Sequence, residues 1–407
     1  MTVKSVLAVG VAGLAASLFA LPKGFVVADG DRTAALGAGG KKTPLVLKGV
    51  NAGAWLLTED WMTLSSLTDN LKGEHGQYEL HEKFAEKFGK AKADELFRVY
   101  RDNWWKESDF DNVKALGLNC IRLPFGWRDF VDEQGKANPE GFKRMDWFVK
   151  NCQKRSLYVI LDMHGAPGSQ NGRHHSGETR NPKLFKDEAS MQLCIKVWQA
   201  IAAKYKGNPV VAAYDLLNEP EGHPGGSTSD SAVIEGINRL YQAVRKVDAD
   251  HLIMIESCWD TDALPPPSKY GWKNVCYQYH FYCWNGVNNH EKQKRFIESK
   301  LANEDRTKHG VPVFVGEFNF FDDVKSWDLA LGTFNERGWG WTVWSYKVYQ
   351  AKSSWGVYNS GAWRGKDNVA TPADDFETVR AKWSKLDTKT CFHENKWLAD
   401  VIRKHAR

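Results

Sequence analysis

The chain has no strong excess of charge of either sign. Its 407 residues include 55 Lys and Arg against 50 Asp and Glu, which gives a formal net charge of +5. Because proteins that grip nucleic acid need many cations to neutralise phosphates, this weak excess argues against a nucleic-acid partner. Hydrophobic residues at 42% and charged residues at 26% also exclude a disordered chain and a protein of many membrane spans.

Long apolar runs are scarce as well. One occupies residues 5–20 and follows a single Lys near the amino terminus. It is too short and too weakly flanked for a membrane span, and it is typical of the apolar part of a secretory signal. We therefore predict a signal peptide at residues 1–20, no membrane span, and secretion, with the cell wall as one destination. A buried N-terminal strand or helix is the alternative.

Closely spaced cysteine pairs are absent. The chain has seven cysteines, an odd number, and no Cys-x-x-Cys pair. Several lie in apolar runs typical of strands, where Cys behaves as a small core residue. The sequence therefore assigns no disulfide among Cys120, Cys152, Cys194, Cys258, Cys276, Cys283 and Cys391.

Linkers, repeats and low-complexity segments are also missing, so we predict a single domain over residues 21–407. Eight short apolar runs alternate with segments of helical period, and only the connection at residues 257–273 lacks a clear helix. Eight is the number of strands that closes a (β/α)₈ TIM barrel, of class α/β. The predicted strands are 45–50, 120–123, 158–163, 210–217, 252–256, 275–279, 313–317 and 340–344; the predicted helices are 93–116, 142–153, 188–205, 232–247, 291–307 and 326–338. A short N-terminal hairpin, formed by residues 24–28 and 45–50 around a Gly- and Lys-rich turn, would precede the barrel.

Polar and aromatic side chains stand at the carboxyl end of almost every predicted strand. In a barrel of this kind the functional site lies at that end. Each residue alone has an ordinary structural explanation, such as an ion pair, a buried core histidine or barrel filling. Their convergence on one mouth nevertheless indicates a ligand site. The residues are Asn51, Arg122, His164, Asn218, Glu219, Glu256, His280, Tyr282, Glu317 and Trp344.

Two of these residues form a pair of carboxylates. Glu219 ends the fourth strand, where Pro220 stops the apolar run, and Glu317 ends the seventh. A closed barrel brings these two ends to opposite sides of one mouth. Glycoside hydrolysis requires such a pair, with one acid to protonate the leaving oxygen and one carboxylate facing it. The separation of the two, which decides between retention and inversion, is not given by the sequence.

Aromatic residues are abundant, with 18 Trp and 13% aromatics in all. Flat rings bind the C–H faces of sugars through apolar contact. Each Trp could equally be a core residue, since most Trp are largely buried. The candidates for outer sugar platforms are Trp55, Trp127, Trp259, Trp284 and Trp355.

Several motifs, in order and each at a strand end, resemble those of the retaining family-5 glycoside hydrolases. They are Ile-Arg-Leu-Pro with Arg122, Asn-Glu-Pro with Glu219, Gln-Tyr-His-Phe-Tyr with His280 and Tyr282, Gly-Glu-Phe with Glu317, and Trp344 in the last strand. The resemblance runs from about residue 45 to the C-terminal helix. It implies that Glu219 is the acid/base and Glu317 the nucleophile, and that the reaction needs no cofactor.

The same resemblance assigns supporting roles. Arg122 would stand beside the nucleophile and keep it ionised, and Tyr282 would orient it. Asn218 would bind the 2-hydroxyl of the sugar. Two histidines, His164 and His280, would bind sugar hydroxyls and tune the acid, while Trp344 would lie beneath the sugar ring.

Local motifs indicate a subgroup. Residues 51–61, 164–172 and 344–347 are similar to segments of the fungal-type exo-β-1,3-glucanases, where the residue at Glu59 grips outer hydroxyls of a terminal glucose. The alternative for Glu59 is a solvated carboxylate at a helix start. Departures at Ala52, Ala54 and residues 318–321 leave the linkage and exo or endo action open. Cellulose, mannan, β-1,6-glucan and glycolipid head groups therefore remain alternatives to a β-1,3-glucan, and a catalytically silent carbohydrate-binding barrel is the non-enzymatic one.

Two other enzyme classes lack their motifs. His164, His174 and His175 could suggest a metal hydrolase, yet no His-x-x-x-His spacing occurs. A serine esterase would need Gly-x-Ser-x-Gly after a strand, and none is present. We therefore expect a monomer that acts on a β-glucan without a metal or cofactor.

Overall fold

The computed structural model describes residues 24–68, 71, 74–132, 134–179 and 181–407. The predicted signal peptide lies outside these residues. In chain order the strands are β1 (Phe25–Asp29), β2 (Arg32–Leu36), β3 (Lys42–Pro44), β4 (Lys48–Asn51), β5 (Cys120–Gly126), β6 (Tyr158–Gly165), β7 (Val211–Asp215), β8 (Leu252–Ser257), β9 (Val275–Tyr282), β10 (Val313–Asn319), β11 (Gly340–Val343), β12 (Lys347–Val348), β13 (Tyr358–Ser360) and β14 (Phe392–Glu394). The α-helices are α1 (Gln77–Phe88), α2 (Lys90–Trp104), α3 (Glu107–Ala115), α4 (Pro139–Lys154), α5 (Glu188–Tyr205), α6 (Ser231–Arg245), α7 (His290–Thr307), α8 (Val324–Arg337), α9 (Phe376–Trp383), α10 (Thr388–Cys391) and α11 (Lys396–Ala406).

Strands β4 to β11 form a closed barrel in which every pairing is parallel and β11 closes on β4. Because helices cover its outside, most barrel strands are buried along their whole length, which explains their unbroken apolar runs. All eight predicted strands are confirmed, and so is the (β/α)₈ class. The connection from β8 to β9 holds only a 3₁₀ turn, Pro267–Lys269, as predicted.

Side-chain caps fix where the helices begin. Asn138, Asp187, Asn289 and Asp323 each accept a hydrogen bond from a backbone N–H in the first turn of α4, α5, α7 and α8. Such caps satisfy donors that would otherwise be unpaired at a helix start. Each cap therefore fixes the residue at which a connecting loop ends and its helix begins.

Two local predictions are wrong. The single helix expected at 93–116 is two helices, because Trp105 between them takes an extended conformation and buries its ring against Phe110 and Phe148. The N-terminal hairpin joins β1 to β2, not to residues 45–50, and its turn contains Gly30 at a φ of 64°. Gly adopts this left-handed conformation without a steric cost. Residues 42–44 pair with β2 as β3, and the first barrel strand begins after them, at Lys48.

Small sheets lie at both ends of the chain. β1–β3 form an antiparallel sheet whose Val26 packs among residues at the starts of the barrel strands, including Leu47 and Cys120. β12–β14 form the second sheet, after the last barrel strand. There the buried Lys347 donates from Nζ to Leu386 O and Thr388 Oγ1, both at 2.9 Å.

The assignment of residues 21–407 to one catalytic domain stays a prediction.

All seven cysteines are free thiols, and six of them are buried. This agrees with their interpretation as core residues. Among the described residues, no helix is both long enough and apolar enough to cross a membrane.

Candidate active site

Arg122 on β5 is the centre of a buried polar network inside the barrel. Its side chain is 0% exposed. Asn51 on β4 is its neighbour in register and accepts a hydrogen bond from Nη1 at 3.0 Å. The other partners are Asp215 Oδ2 at 2.8 Å, Glu317 Oε1 at 2.9 Å, Asn218 Oδ1 at 3.0 Å and Asp162 Oδ2 at 3.1 Å. Burial alone would lower the pKa of Arg122, but the surrounding carboxylates outweigh it and raise the pKa. The guanidinium is thus permanently charged.

Glu317 lies on β10 and is held from two sides. Oε1 accepts from Arg122, and Oε2 accepts from the Tyr282 hydroxyl at 2.9 Å. These contacts place Arg122 and Tyr282 where the sequence predicted them. Burial raises the pKa of Glu317, while His280, Arg122 and His164 act in the opposite direction. Arg122 therefore lowers the pKa of Glu317 as expected, but this effect is smaller than the rise caused by burial.

Glu219 follows β7 and has a φ of 43°, an uncommon conformation for a residue with a side chain. Two side chains hold the backbone there: the Glu219 N–H donates to Glu256 Oε1 at 2.8 Å, and the Glu219 carbonyl accepts from Asn171 Nδ2 at 3.0 Å. Burial first, and then the charge of Glu221, raise the pKa of Glu219 to about 7. The carboxyl group therefore keeps its proton at a pH where an ordinary Glu is ionised.

His280 on β9 lies between the two glutamates. Its Nδ1 is 2.8 Å from Glu219 Oε1 and 3.5 Å from Glu317 Oε2. Burial lowers the pKa of His280 to about 3, so the ring is neutral. One oxygen of each glutamate and one nitrogen of this histidine all lie within 4.8 Å of one another. His280 is fully buried, and the two roles expected for it, binding of a sugar hydroxyl and tuning of the acid, stay predictions.

His164 and Trp344 stack across the mouth of the barrel. Their ring centroids are 5.3 Å apart and the rings are nearly parallel, at 5°. Asp162 accepts from His164 Nδ1 at 2.8 Å and fixes the orientation of the histidine.

The neighbouring Asn218 is buried against Arg122, and Gln170 Nε2 donates at 2.8 Å to both the His164 and the Asn218 carbonyl. The motif at residues 164–172 thus ties two strand ends together.

Glu59 is buried, which rules out the solvated carboxylate. Oε2 accepts from Trp61 Nε1 at 2.8 Å and lies 3.1 Å from His174 Nε2. Burial would raise the pKa of Glu59, but its contacts with His174 lower it overall. In return Glu59 raises the pKa of His174 to about 9, against the opposing effect of burial. The two side chains therefore form an ion pair at one end of the site.

A model of the family described as Cellulase (glycosyl hydrolase family 5) matches residues 84–350, more than half of the chain. The chain belongs to glycosyl hydrolase family 5. This confirms the family that the motifs indicated, and the matched region contains β5 to β11 with both glutamates.

Relatives of this family-5 chain carry several names. A beta-xylosidase from Phanerodontia chrysosporium is 27% identical over 338 residues, covering 74% of this chain and 67% of the relative. A glucan 1,3-beta-glucosidase from Candida oleophila is 33% identical over 186 residues, and this match covers 43% of each protein. The match to this second relative thus spans less than half of its length.

Solved structures share the fold of this family-5 barrel. An endogalactoceramidase superposes with a TM-score of 0.64 at 16% identity, covering 93% of this chain and 84% of the other. A rutinosidase from Aspergillus niger gives a TM-score of 0.59 at 19% identity, covering 76% and 92%. At these identities the superpositions support the barrel and carry nothing about substrate.

The five candidate platforms divide into two sets. Trp55 and Trp127 are buried in the core, packed against Phe148 and Tyr78 respectively, so the platform role is wrong for both. The other three reach the mouth. Trp284 is 60% exposed, and it stacks on Tyr282 and on Trp355 with centroids 5.6 Å apart in both cases. Trp259 is half-buried and donates from Nε1 to Glu221 Oε1 at 3.0 Å.

Several buried partners of this family-5 site were not among the predicted site residues. Gln278 donates from Nε2 to Asp215 at 2.9 Å and to Glu256 at 2.7 Å. Alternation along a strand could have revealed some of them, because Gln278 lies two residues before His280 and Asp162 two before His164, on the same inward face. By contrast, His175 and Asn171 lie in a loop whose conformation no periodic pattern predicts.

Within the described part of the chain, two groups of side chains have the spacing of a metal site, with ligand atoms within 4.8 Å: Glu219, His280 and Glu317, and Glu59, His174 and His175. Hydrogen bonds between members of each group, such as His280 to Glu219 at 2.8 Å and His174 to Glu59 at 3.1 Å, already account for these distances. The spacing is thus explained without an ion, and a metal-free site stays our prediction.

Proposed function

We propose that this family-5 protein is a retaining glycoside hydrolase in which Glu219 is the acid/base and Glu317 the nucleophile. The observation that carries the proposal is the short approach of the two carboxyl groups, which have oxygens within 4.8 Å of one another. Retaining enzymes separate these groups by about 5–5.5 Å, and inverting enzymes leave about 6.5–9.5 Å for a water molecule. The contacts of the two groups also differ: Glu317 accepts from the cationic Arg122 and from Tyr282, whereas Glu219, whose pKa burial raises to about 7, contacts no Lys or Arg side chain directly among the described residues.

In the first step, a Glu317 oxygen attacks the anomeric carbon while the bond to the leaving oxygen breaks. Glu219 gives its proton to that oxygen. Arg122 and Tyr282 hold Glu317 in line by hydrogen bonds of 2.9 Å. In the second step, water attacks the anomeric carbon of the glycosyl ester, Glu219 takes a proton from the water, and Glu317 leaves as the carboxylate.

Supporting residues would act on the sugar in the cleavage position. Asn218 fixes its Oδ1 on Arg122 and leaves its Nδ2 without a protein partner among the described residues, so that Nδ2 can donate to the 2-hydroxyl. Trp344, held against His164, supplies an apolar face beneath the ring. Glu59, paired with His174, would accept from outer hydroxyls of the sugar.

For the substrate we propose a β-1,3-glucan, cleaved from its end to release glucose. The name of the Candida oleophila relative and the buried, ion-paired Glu59 support this choice. A predicted secretory signal at residues 1–20 would place the reaction outside the cell. The alternatives that the test must separate are endo cleavage within the glucan and cleavage of other β-linkages.

Hydrolysis of laminarin, with products separated by size and the anomer followed by proton NMR, tests the proposal. We expect β-glucose to appear first and alone. Glu317→Gln and Glu219→Gln should each abolish this release. Glu304→Gln is a matched control, because burial also raises the pKa of Glu304 to about 7 but it lies on α7 outside the barrel. Full activity in the Glu317 variant contradicts the mechanism, and oligosaccharides from the start contradict exo action.

A further inference from the structure

Asn171 has an amide orientation that its backbone contacts determine. Its Oδ1 accepts from the Arg173 N–H at 2.9 Å, and its Nδ2 donates to the Glu219 carbonyl at 3.0 Å. Exchanging the two ends of the amide would place a nitrogen against an N–H and an oxygen against a carbonyl. The nitrogen end must therefore face Glu219, and it also faces His175.

The second hydrogen on Asn171 Nδ2 points at His175. The distance from Nδ2 to His175 Nε2 is 2.8 Å, which is a hydrogen bond. An amide nitrogen can only donate, so His175 Nε2 must be an acceptor without a proton. Neutral His175 then carries its proton on Nδ1. Burial lowers the pKa of His175 well below its ordinary value, and the positive charges around it act in the same direction, which agrees with a neutral ring.

The unprotonated nitrogen lies beside the proposed acid. His175 Nε2 is 3.1 Å from Glu219 Oε2, while Glu219 Oε1 faces His280 Nδ1 at 2.8 Å. A lone pair at this distance repels an ionised carboxylate and tolerates a protonated one. We propose that Asn171 and His175 are positioning residues that keep Glu219 protonated on Oε2, because Asn171 holds His175 in the tautomer that cannot donate to it.

This inference rests on the proposed role of Glu219 as the acid. Other charged groups face the same pair and are constant between the variants below. The Glu59–His174 ion pair lies behind His175, with the His174 and His175 ring centroids 5.5 Å apart. Around Glu219 and His175 the remaining titratable and charged groups are His164, Arg173, Glu221, Glu256, Cys258, His280, Tyr282 and Glu317.

The tautomer can be measured without an assay. In protein labelled with ¹⁵N-histidine, long-range proton–nitrogen correlation spectra at pH 6 distinguish a protonated from an unprotonated Nε2, and a His175→Phe variant identifies the signals. We expect His175 to carry its proton on Nδ1 only. A proton on Nε2 in the wild-type protein overturns the inference, even if Glu219→Gln is inactive as the proposed function requires.

Activity against pH gives the second test. Asn171→Ala should free His175 to donate from Nε2, which stabilises ionised Glu219 and shifts the alkaline limb of the pH–rate profile downward by about one pH unit. In a His175→Phe background the same change should shift nothing, because no tautomer is left to switch. An equal shift in both backgrounds overturns the inference. Activity that survives Glu219→Gln instead contradicts the proposed function itself.

Discussion

Arg122 donates from Nη1 to Glu317 Oε1 at 2.9 Å, deep in a barrel where neither side chain is appreciably exposed. The same guanidinium bonds to Asp215 and Asp162, two carboxylates that no other Lys or Arg contacts directly among the described residues. Arg122 is therefore the common counterion of a buried acidic cluster. Its contact with Glu317 ties the position of the proposed nucleophile to the stability of the barrel.

Replacing Arg122 with Met should destabilise the protein severely. The carboxylate of Asp215 would be left buried without a cationic partner and that of Asp162 with His164 alone, and breaking a buried pair from one side costs about 3–5 kcal/mol. We expect this loss in the free energy of unfolding measured with urea. The matched control is Arg306→Met, since Arg306 is 65% exposed and pairs with Asp262 at the surface. A surface pair contributes less than about 1 kcal/mol, so similar losses in the two variants would contradict the assignment.

The rate of hydrolysis should fall as the pH rises through about 7. Glu219 must be protonated to act as the acid, and burial raises its pKa to about 7. In a plot of kcat/KM against pH for a small aryl β-glucoside, the alkaline limb reports this group in the free enzyme. A leaving group that departs without proton transfer, such as dinitrophenolate, should flatten that limb if its cause is Glu219. A limb that persists unchanged would assign it to another group.

The barrel and its two glutamates could be predicted because both depend on simple patterns. Strand ends of a parallel barrel meet at one mouth, so Glu219 and Glu317 were placed together from their positions alone. The loop after β6 could not be predicted in this way. Its conformation depends on side-chain bonds from Gln170 and Asn171 to backbone carbonyls of other elements, and these bonds bring His175 to Glu219.

The burial of individual tryptophans could not be predicted from the sequence either. Trp55 and Trp284 are equally plausible as sugar platforms in the sequence, yet the first packs on Phe148 in the core and the second stands at the mouth. The difference arises from tertiary packing, because α4, which carries Phe148, covers Trp55 and no local sequence pattern indicates this contact.

Replacing Glu219 with Gln should change how stability depends on pH. The folded-state pKa is about 7, above the ordinary 4.5, so between these values the native state binds more protons than the unfolded chain. Stability from this group is present in full below pH 4.5 and is lost as the pH rises to 7. Because Gln does not titrate, the free energy of unfolding of the variant should rise relative to that of the wild-type protein by up to about 3 kcal/mol across that window. Urea unfolding at pH 4.5, 6 and 7.5 measures the difference, and a constant difference would contradict it.

Trp284 should matter for long substrates and not for short ones. It stacks on Tyr282, which itself bonds to Glu317, so its exposed face continues the site outward from the point of cleavage. Trp284→Ser should therefore raise KM for laminarin several-fold, through loss of apolar contact, and leave the hydrolysis of an aryl β-glucoside unchanged. Trp363→Ser is the matched control, because Trp363 is 64% exposed and has no ring contact with Tyr282 or Trp355 in the described part of the chain. Equal effects of the two substitutions on laminarin would show that Trp284 is not a platform, whereas a loss confined to Trp284 would place the leaving part of the glucan on the face of this ring.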